Sequence, residues 1–228
     1  MTTDEIKALV HAIDYSEALT LTAGEKEVRE ACAEAKEYGF RAVVAFPQYL
    51  GIIVDELKGS GVRAQIPVGF PSGGQTTAVK CAEAEEGLMR GASDLDMVMN
   101  LSAFKNGNYS AVEKEIRAIM KVAEPFGIPF KVIIEVGLLS DEEIVTAAKL
   151  VKECGADFVK TCTGFAAGRA TGHIISLIRE TVGPDMGIKA SGGVASIEDG
   201  VAYMKFGATV VAMRKMLVDQ LISMGWKS

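Results

Sequence analysis

Short apolar runs alternate with longer amphipathic segments along the whole chain. Eight runs, rich in Val, Ile and Phe, have the length of strands and cover residues 12–14, 41–46, 65–68, 94–99, 130–135, 158–161, 187–190 and 209–213. This alternation is typical of repeated βα units. Because eight such units are the number that closes a (β/α)8 barrel, the pattern predicts a TIM barrel.

The longer segments have the apolar periodicity of helices. They cover residues 25–38, 76–90, 109–123, 141–154, 172–181 and 196–205, and a last helix is predicted over 216–228. Ser140 with Glu143, and Ser196 with Asp199, place a capping oxygen and an acid three residues apart at two helix starts. An open doubly wound sheet is the alternative, but the GxGxxG turn that usually follows its first strand is absent. We therefore prefer the closed barrel.

Length and composition favour one domain over residues 1–228. The chain is 49% hydrophobic, enough to bury a large core, and its net charge of −6 disfavours a nucleic-acid surface. It has neither a leader-like N-terminus nor an uncharged apolar stretch of about 18 residues. The four cysteines lack CxxC or metal-ligand spacing, which favours reduced thiols. We expect a soluble cytoplasmic protein with no zinc site and no nucleic-acid or membrane partner.

Ionisable residues stand at or near the ends of several predicted strands, where barrels carry their catalytic groups. Lys160, Lys189 and Asp96 are the foremost of these. Since side chains alternate between the two faces of a strand, we expect these groups to point into the barrel. Asp94 by itself fits a helix cap or a solvent-facing position, and Glu135 is expected either to join the site or to pair with Lys131.

Two lysines and a carboxylate in this setting suggest carbonyl chemistry through a Schiff base. The attacking amine must be neutral, and bringing its pKa from about 10.4 to about 7 requires roughly 4–5 kcal/mol. A second ammonium about 6 Å away contributes on the order of 3 kcal/mol at an effective dielectric near 20. Burial must supply the remainder. We therefore predict that Lys160 is the nucleophile and that Lys189 and desolvation together lower its pKa.

Several motifs occur together in one order along nearly the whole chain. They are GADFVKTCTGF at 155–165, KASGGV at 189–194, KVIIE at 131–135, DLDMV at 94–98 with Gly107, and Ile13-Asp14. In this combination the chain resembles the 2-deoxyribose-5-phosphate aldolase family. The resemblance implies a TIM barrel and a reversible class I aldol cleavage that needs no metal or organic cofactor.

The resemblance also assigns roles to individual residues. It implies that Lys160 forms the imine, that Lys189 lowers its pKa, and that Asp96 transfers protons together with an ordered water. Asp14 and Lys131 match further polar positions of the family's substrate site. A catalytic role for the thiol of the neighbouring Cys162 is disfavoured, because no histidine lies near it in sequence.

The chain departs from the family pattern where ligands are recognised. Arg214 and Lys215 follow the last strand in place of a serine pair that helps to hold the phosphate, and the glycine-rich stretch after the imine lysine reads AGRA at 167–170. An Asp-His-Thr motif reads DYS at 14–16, and a cysteine near the second strand is replaced by Val44. The reaction class is therefore better determined than the substrate.

A phosphate can still be bound locally. Gly192 and Gly193 lie between a strand and a helix start, so their N–H groups can receive an anion. Arg169, Arg214 and Lys215 can add charge-assisted contacts in place of the missing hydroxyls. We place Thr163 among the substrate-binding residues as well. The alternative is that these cations recognise a carboxylate, or a phosphate shifted along a longer or branched sugar.

Three functions stay open on this evidence, all with a phosphorylated sugar as the small-molecule partner. The first is a class I aldolase, the second a catalytically silent sugar-phosphate-binding barrel, and the third a transaldolase-like transferase. A homo-oligomer is possible. The segment 67–75 lacks the GKS or GKT ending of a phosphate loop, so we interpret it as the loop after the third strand and as a candidate for lining the site.

Overall fold

Eight parallel strands close into a barrel in chain order, which confirms the predicted architecture over an open sheet. The structure is a computed structural model that describes residues 1–16 and 19–226. The strands are β1 (Ile13–Tyr15), β2 (Ala42–Val44), β3 (Arg63–Val68), β4 (Asp94–Val98), β5 (Phe130–Ile133), β6 (Phe158–Lys160), β7 (Gly187–Ala190) and β8 (Val210–Met213). Strand β8 pairs with β1, so the sheet has no free edge.

Helices surround the barrel and connect its strands. They are α1 (Thr3–His11), α2 (Glu25–Tyr38), α3 (Leu50–Leu57), α4 (Thr77–Met89), α5 (Leu101–Lys105), α6 (Tyr109–Ala123), α7 (Asp141–Glu153), α8 (Gly172–Val182), α9 (Ile197–Lys205) and α10 (Lys215–Ser223). The sequence analysis did not predict α1, α3 and α5, which have nine, eight and five residues. The last helix is shorter than predicted, and Lys227 and Ser228 lie outside the described residues.

The predicted helix starts are capped by their own side chains. Ser140 and Glu143 form a reciprocal capping box at α7, as predicted. At α9, Ser196 accepts a hydrogen bond from the backbone N–H of Asp199, whose carboxylate accepts from Ala195. No helix in the described ranges is both long and apolar enough to cross a bilayer.

Side chains on each strand alternate between the helices and the barrel interior. Leu95 and Met97 of β4 join the apolar layer under the helices, whereas Asp94 and Asp96 face inward and are fully buried. The same alternation buries Lys131 on β5 and Lys189 on β7 inside the barrel. The interior is therefore charged, while the hydrophobic core is the layer between sheet and helices.

A buried ion pair between two helices fixes the end of β4. The Nζ atom of Lys80 on α4 lies 2.9 Å from Oε2 of Glu115 on α6 and donates to the carbonyl oxygen of Val98 at 2.8 Å. Glu115 in turn accepts the N–H of Asn100 at 2.9 Å. Since Val98 ends β4 and Asn100 follows it, the pair holds the strand that carries Asp96.

Candidate active site

The two lysines singled out in the sequence stand side by side. Lys160 is the last residue of β6, and it is in register with Lys189 on the neighbouring β7. Asp96 on β4 is in register with Lys131 on β5. Because Lys131 is in register with Phe158, the Asp96–Lys131 pair lies two residues closer to the amino ends of the strands than the Lys160–Lys189 pair, and the two pairs face each other inside the barrel.

The carboxylate of Asp96 lies among three ammonium groups. Its Oδ2 atom is 2.7 Å from Nζ of Lys160 and 2.7 Å from Nζ of Lys189, and its Oδ1 atom is 3.1 Å from Nζ of Lys131. Burial by itself would raise the pKa of Asp96, but the three cations hold it well below its usual range. Asp96 is therefore an anion that all three lysines share.

The cluster continues towards the amino ends of the strands. Lys189 is also 2.5 Å from Oδ2 of Asp14, and Lys131 contacts Asp94. Arg41, which precedes β2, joins the other two carboxylates, with Nη1 2.6 Å from Asp14 and Nη2 2.6 Å from Asp94. Asp94 points inward against Lys131 and Arg41, as the alternation that puts it on one face with Asp96 predicts, and the alternative of a helix cap or a solvent-facing position is wrong.

The charges of this cluster do not balance when every group is ionised. Among the described residues it joins four cationic groups to three carboxylates, Asp14, Asp94 and Asp96. One positive charge is in excess in a largely buried cluster, where an unpaired charge is costly. Loss of one proton from one lysine restores neutrality.

Lys160 is the amine that gives up its proton most readily. Burial, together with repulsion by Lys189 and Lys131, lowers the pKa of Lys160 to about 8 against the attraction of Asp96. Lys189 behaves in the opposite way: burial favours its neutral form, but Asp14 and Asp96 outweigh that effect and raise its pKa. Lys160 therefore becomes mainly neutral only above about pH 8, whereas Lys189 beside it stays charged.

A cavity of about 610 Å³ opens above Lys160 at the carboxyl end of the barrel. Its walls come from strand ends and loops of β6, β7, β8, β1 and β2: Ser16, Leu19, Thr20, Val44, Lys160, Thr163, Gly164, Phe165, Lys189, Ser191, Gly192, Gly193, Val194, Ala212, Arg214, Lys215, Met216 and Leu217. Asp14, Lys131 and Asp96 lie beneath this surface. Asp14 and Lys131, predicted from the resemblance as substrate-binding, therefore contact Lys189 and Asp96 instead of lining the cavity.

The part of the cavity wall formed by the loops after β7 and β8 has the features of an anion site. Gly192 and Gly193 adopt φ values of 79° and 78°, a conformation that favours glycine. Arg214 lines the same region and is exposed. Lys215 lines it too, but its ammonium contacts Glu34 and lies 3.1 Å from Asp219. Because Lys215 is already paired with two carboxylates, Arg214 is the better candidate for an anion.

Two other predicted binding residues have different surroundings from those expected. The hydroxyl of Thr163 donates to Oε2 of Glu135 at 2.6 Å and accepts the N–H of Phe165 at 3.1 Å, so its one proton is already used. Arg169 is exposed and packs against Gly193, and it is not among the residues that line the cavity. Glu135 contacts Thr163 rather than Lys131, since β5 ends at Ile133 and Glu135 turns away with φ 53°.

The cysteines and possible metal ligands add little to the site. Burial raises the pKa of the Cys162 thiol to about 12, which agrees with the view that it is no nucleophile. All four cysteines are free thiols. Within residues 1–16 and 19–226, no group of three or more His, Cys, Asp or Glu side chains is arranged to hold a metal ion.

Sequence reasoning missed Arg41 and Gln65. Arg41 begins a predicted strand and has the pattern of an ordinary edge residue, while Gln65 offers Oε1 to Lys189 at 3.4 Å from β3. The only sequence signal for Gln65 was the alternation of side chains along β3, which turns Gln65 inward on the same face as Pro67. Such contacts across a barrel join residues far apart in sequence and leave no local pattern.

The chain is similar to known aldolases over most of its length. Residues 8–213 match the model of the DeoC/LacD family aldolases. A deoxyribose-phosphate aldolase from Streptococcus sanguinis is 46% identical over 187 residues, which are 82% of this chain and 84% of that protein. One from Caldanaerobacter subterraneus is 41% identical over 206 residues, covering 90% of this chain and 89% of the relative.

A solved structure supports the same comparison. The deoxyribose phosphate aldolase from Aeropyrum pernix, described as tetrameric, superposes with a TM-score of 0.87 at 30% identity. The match covers 98% of this chain and 100% of that one.

Proposed function

This chain belongs to the DeoC/LacD family of aldolases, and from that premise we propose that it reversibly cleaves 2-deoxyribose 5-phosphate into acetaldehyde and glyceraldehyde 3-phosphate. The proposal depends above all on the environment of Lys160. This lysine is only 3% exposed but lines the cavity, and its pKa is lowered to about 8. A buried amine that is partly neutral near pH 8 can attack a carbonyl carbon.

Cleavage begins with imine formation at Lys160. The lone pair of Nζ attacks C1 of the open-chain sugar, and the C1 oxygen takes up two protons, one from Nζ and one from an acid, and leaves as water while a protonated imine forms. The hydroxyl on C3 then loses its proton to a base, the C3–O double bond forms, and the electrons of the C2–C3 bond neutralise the protonated imine. Glyceraldehyde 3-phosphate departs, and an enamine stays on Lys160. Protonation of C2 and addition of water release acetaldehyde and restore the amine.

Asp96 and Lys189 have distinct proposed roles in these steps. Asp96 is held 2.7 Å from the reacting nitrogen but beneath the cavity lining, so a water has to connect it to C2 and C3 of the substrate. We assign it the proton transfers at C2 and C3, together with a water. Lys189 stays charged between Asp14 and Asp96 and disfavours protonation of Lys160.

The phosphate of the substrate is proposed to bind at the opposite end of the cavity. The N–H groups near Gly192 and Gly193 and the guanidinium of Arg214 supply donors there. Arg214 takes the place of the family's serine pair. A carboxylate, or a phosphate on a longer or branched sugar, is the alternative ligand for the same cation.

Covalent trapping tests the reaction class. Acetaldehyde with borohydride should reduce an imine on the peptide that contains Lys160, and Lys160→Ala should give no such adduct. Lys205→Met, which removes a lysine that is 62% exposed and pairs with Glu5, is the matched control and should behave as wild type. An unmodified wild-type protein would favour the silent sugar-phosphate-binding barrel. A strict requirement for an acceptor aldose would favour the transferase.

Assembly and location complete the proposal. The Aeropyrum pernix relative is described as tetrameric, so we propose that this chain also forms a homo-oligomer, which light scattering in solution would test. Its four free thiols are typical of the reducing cytoplasm, where we expect the protein to act.

A further inference from the structure

Six charged side chains inside the barrel form a closed ring in which cations and carboxylates alternate. The two Nη atoms of Arg41 join Asp14 to Asp94, each at 2.6 Å, and two lysines join these carboxylates to Asp96. We call this set the charge ring. In order of contact, its members are Arg41, Asp14, Lys189, Asp96, Lys131 and Asp94, which returns to Arg41. The charge ring is neutral when all six groups are ionised.

Lys160 stands outside the charge ring. Within residues 1–16 and 19–226, Asp96 is the one carboxylate that Lys160 contacts, at 2.7 Å, whereas each cation of the ring contacts two. Arg214 and Lys215, which line the cavity next to Lys160, supply no negative charge. Lys160 is therefore the cation in excess.

Arg41 closes the charge ring at the amino end of the barrel. The carboxylates of Asp14 and Asp94 are fully buried, and the side chain of Arg41 between them is 15% exposed. The guanidinium carbon also lies 5.6 Å from the ring centroid of Phe158, a favourable contact between a cation and an aromatic face. A planar guanidinium can donate to two carboxylates at once, which the point charge of a lysine does less well.

The charge balance would change if Arg41 were absent. Asp14 and Asp94 would each keep one lysine, and the three lysines of the cluster would then equal the three carboxylates in number. A protonated Lys160 would no longer be in excess. Because buried charges are screened weakly, such a change at one end of the cluster is felt at the other.

We propose that Arg41 keeps Lys160 deprotonated from the opposite end of the barrel, by neutralising Asp14 and Asp94 and so leaving Lys160 as the cation in excess. The inference rests on the proposed function, in which Lys160 is the nucleophile, and adds a residue to it. Arg41 does not line the cavity and acts through other side chains, so it is a positioning residue.

Competitive labelling measures the ionisation of Lys160 without turnover. Acetic anhydride acylates neutral amines, so the rate at which the peptide containing Lys160 is modified, followed by mass spectrometry across pH, gives the midpoint of its titration. Lys205, which is 62% exposed, is the reference amine in the same sample. The proteins compared are wild type, Arg41→Met, Asp94→Asn and the double variant with both substitutions.

Arg63→Met is the matched control. Arg63 begins β3 beside Arg41, and its backbone N–H donates to the carbonyl oxygen of Arg41 at 3.0 Å. Its guanidinium donates to the carbonyl oxygen of Ser93 at 3.2 Å, outside the charge ring. The substitution thus removes the same charge from the same end of the barrel, and the midpoint of Lys160 should stay where it is in wild type.

The expected shifts have opposite signs and cancel. Arg41→Met removes a cation, so the midpoint of Lys160 should rise by about one pH unit, and labelling at pH 7 should fall about tenfold. Asp94→Asn removes an anion, so the midpoint should move to lower pH. The double variant restores one excess positive charge and should return close to wild type. Simple damage to the fold would not reverse and cancel in this way, and the acidic limb of kcat/KM should follow the same order.

Two results would overturn the inference and leave the aldolase proposal intact. One is a midpoint that does not move in Arg41→Met, and the other is a shift in the same direction in Arg41→Met and Asp94→Asn. A wild-type Lys160 that titrates near the ordinary value of about 10.4 would overturn both proposals. If circular dichroism shows that Arg41→Met does not fold, Asp94→Asn decides, because an unmoved midpoint there equally contradicts the charge balance.

Discussion

Lys160 and Lys189 contact the same oxygen atom, Oδ2 of Asp96, each from 2.7 Å. The two amines are nevertheless unequal, because Lys189 has a second carboxylate, Asp14, at 2.5 Å. That additional anion holds the proton on Lys189 and leaves Lys160 as the amine that can become neutral. A difference of one contact thus separates the proposed nucleophile from its neighbour.

The pH dependence of the reaction should report the ionisation of Lys160. Its pKa is lowered to about 8, and only the neutral amine attacks a carbonyl. The value of kcat/KM for cleavage should therefore fall roughly tenfold per pH unit below pH 8 and level off above it. A profile that is flat between pH 6 and pH 9, with the fold intact by circular dichroism, would contradict this assignment.

Replacing Lys189 should move that profile to higher pH. Lys189→Met removes an ammonium that disfavours protonation of Lys160 and frees Oδ2 of Asp96 to stabilise the charged form. We expect the acidic limb of kcat/KM to shift upward by about one pH unit or more, equivalent to about 1.4 kcal/mol. The exposed substitution Lys205→Met should leave the limb in place.

Replacing Asp96 should separate imine formation from proton transfer. Asp96→Asn removes the anion that stabilises the Lys160 ammonium, so the acidic limb should move to lower pH. Imine trapping near pH 7 should persist, while kcat falls by about 10²–10⁴, the usual contribution of a general acid–base group. An unchanged kcat would assign the proton transfers to another residue.

Arg214 should affect binding of the anion more than the chemistry. Arg214→Ala removes a charge-assisted hydrogen bond worth about 1.5–3 kcal/mol, so KM for 2-deoxyribose 5-phosphate should rise about 10- to 150-fold with kcat nearly unchanged. Unphosphorylated 2-deoxyribose should be cleaved equally well by both proteins. Arg90→Ala, at a surface pair with Glu86, is the control. A normal KM in Arg214→Ala would rule out this role.

The buried pair between Lys80 and Glu115 should contribute strongly to the free energy of unfolding. Lys80→Met leaves the carboxylate of Glu115 buried and unpaired, so denaturant unfolding should show a loss of about 3–5 kcal/mol. Removing both partners, as Lys80→Met with Glu115→Leu, should recover much of that loss. The exposed pair of Lys105 and Glu143 should be worth at most about 1 kcal/mol when Lys105 is replaced.

The sequence predicted the parts of the fold that have a local signal. Apolar runs located all eight strands, and the alternation within each strand turned Lys160, Lys189 and Asp96 towards one interior. The strand ends were less accurate: the fifth was predicted to reach Glu135, whereas the positive φ of that residue takes it out of the sheet. No local pattern could show that conformation.

Contacts across the barrel could not be predicted from the sequence. Arg41 reaches Asp94 over 53 positions, and Lys215 reaches Glu34 over 181. Neither contact was expected, and the second changes the interpretation of Lys215 from a free cation to a paired one. The contact between the rings of Phe70 and Phe165 likewise joins loops that follow different strands, and the sequence shows only that Phe165 follows the motif of Lys160.

Arg41 has a consequence for the order in which products leave. Its side chain is only 15% exposed and lies between Asp14 and Asp94 at the amino end of the barrel. Substrate and products are therefore expected to enter and leave only through the cavity at the carboxyl end. The two-carbon fragment is bound to Lys160 at the closed end of the cavity, behind glyceraldehyde 3-phosphate. Release is thus expected to be sequential, the outer aldehyde departing first, and acetaldehyde should inhibit turnover from the inner position.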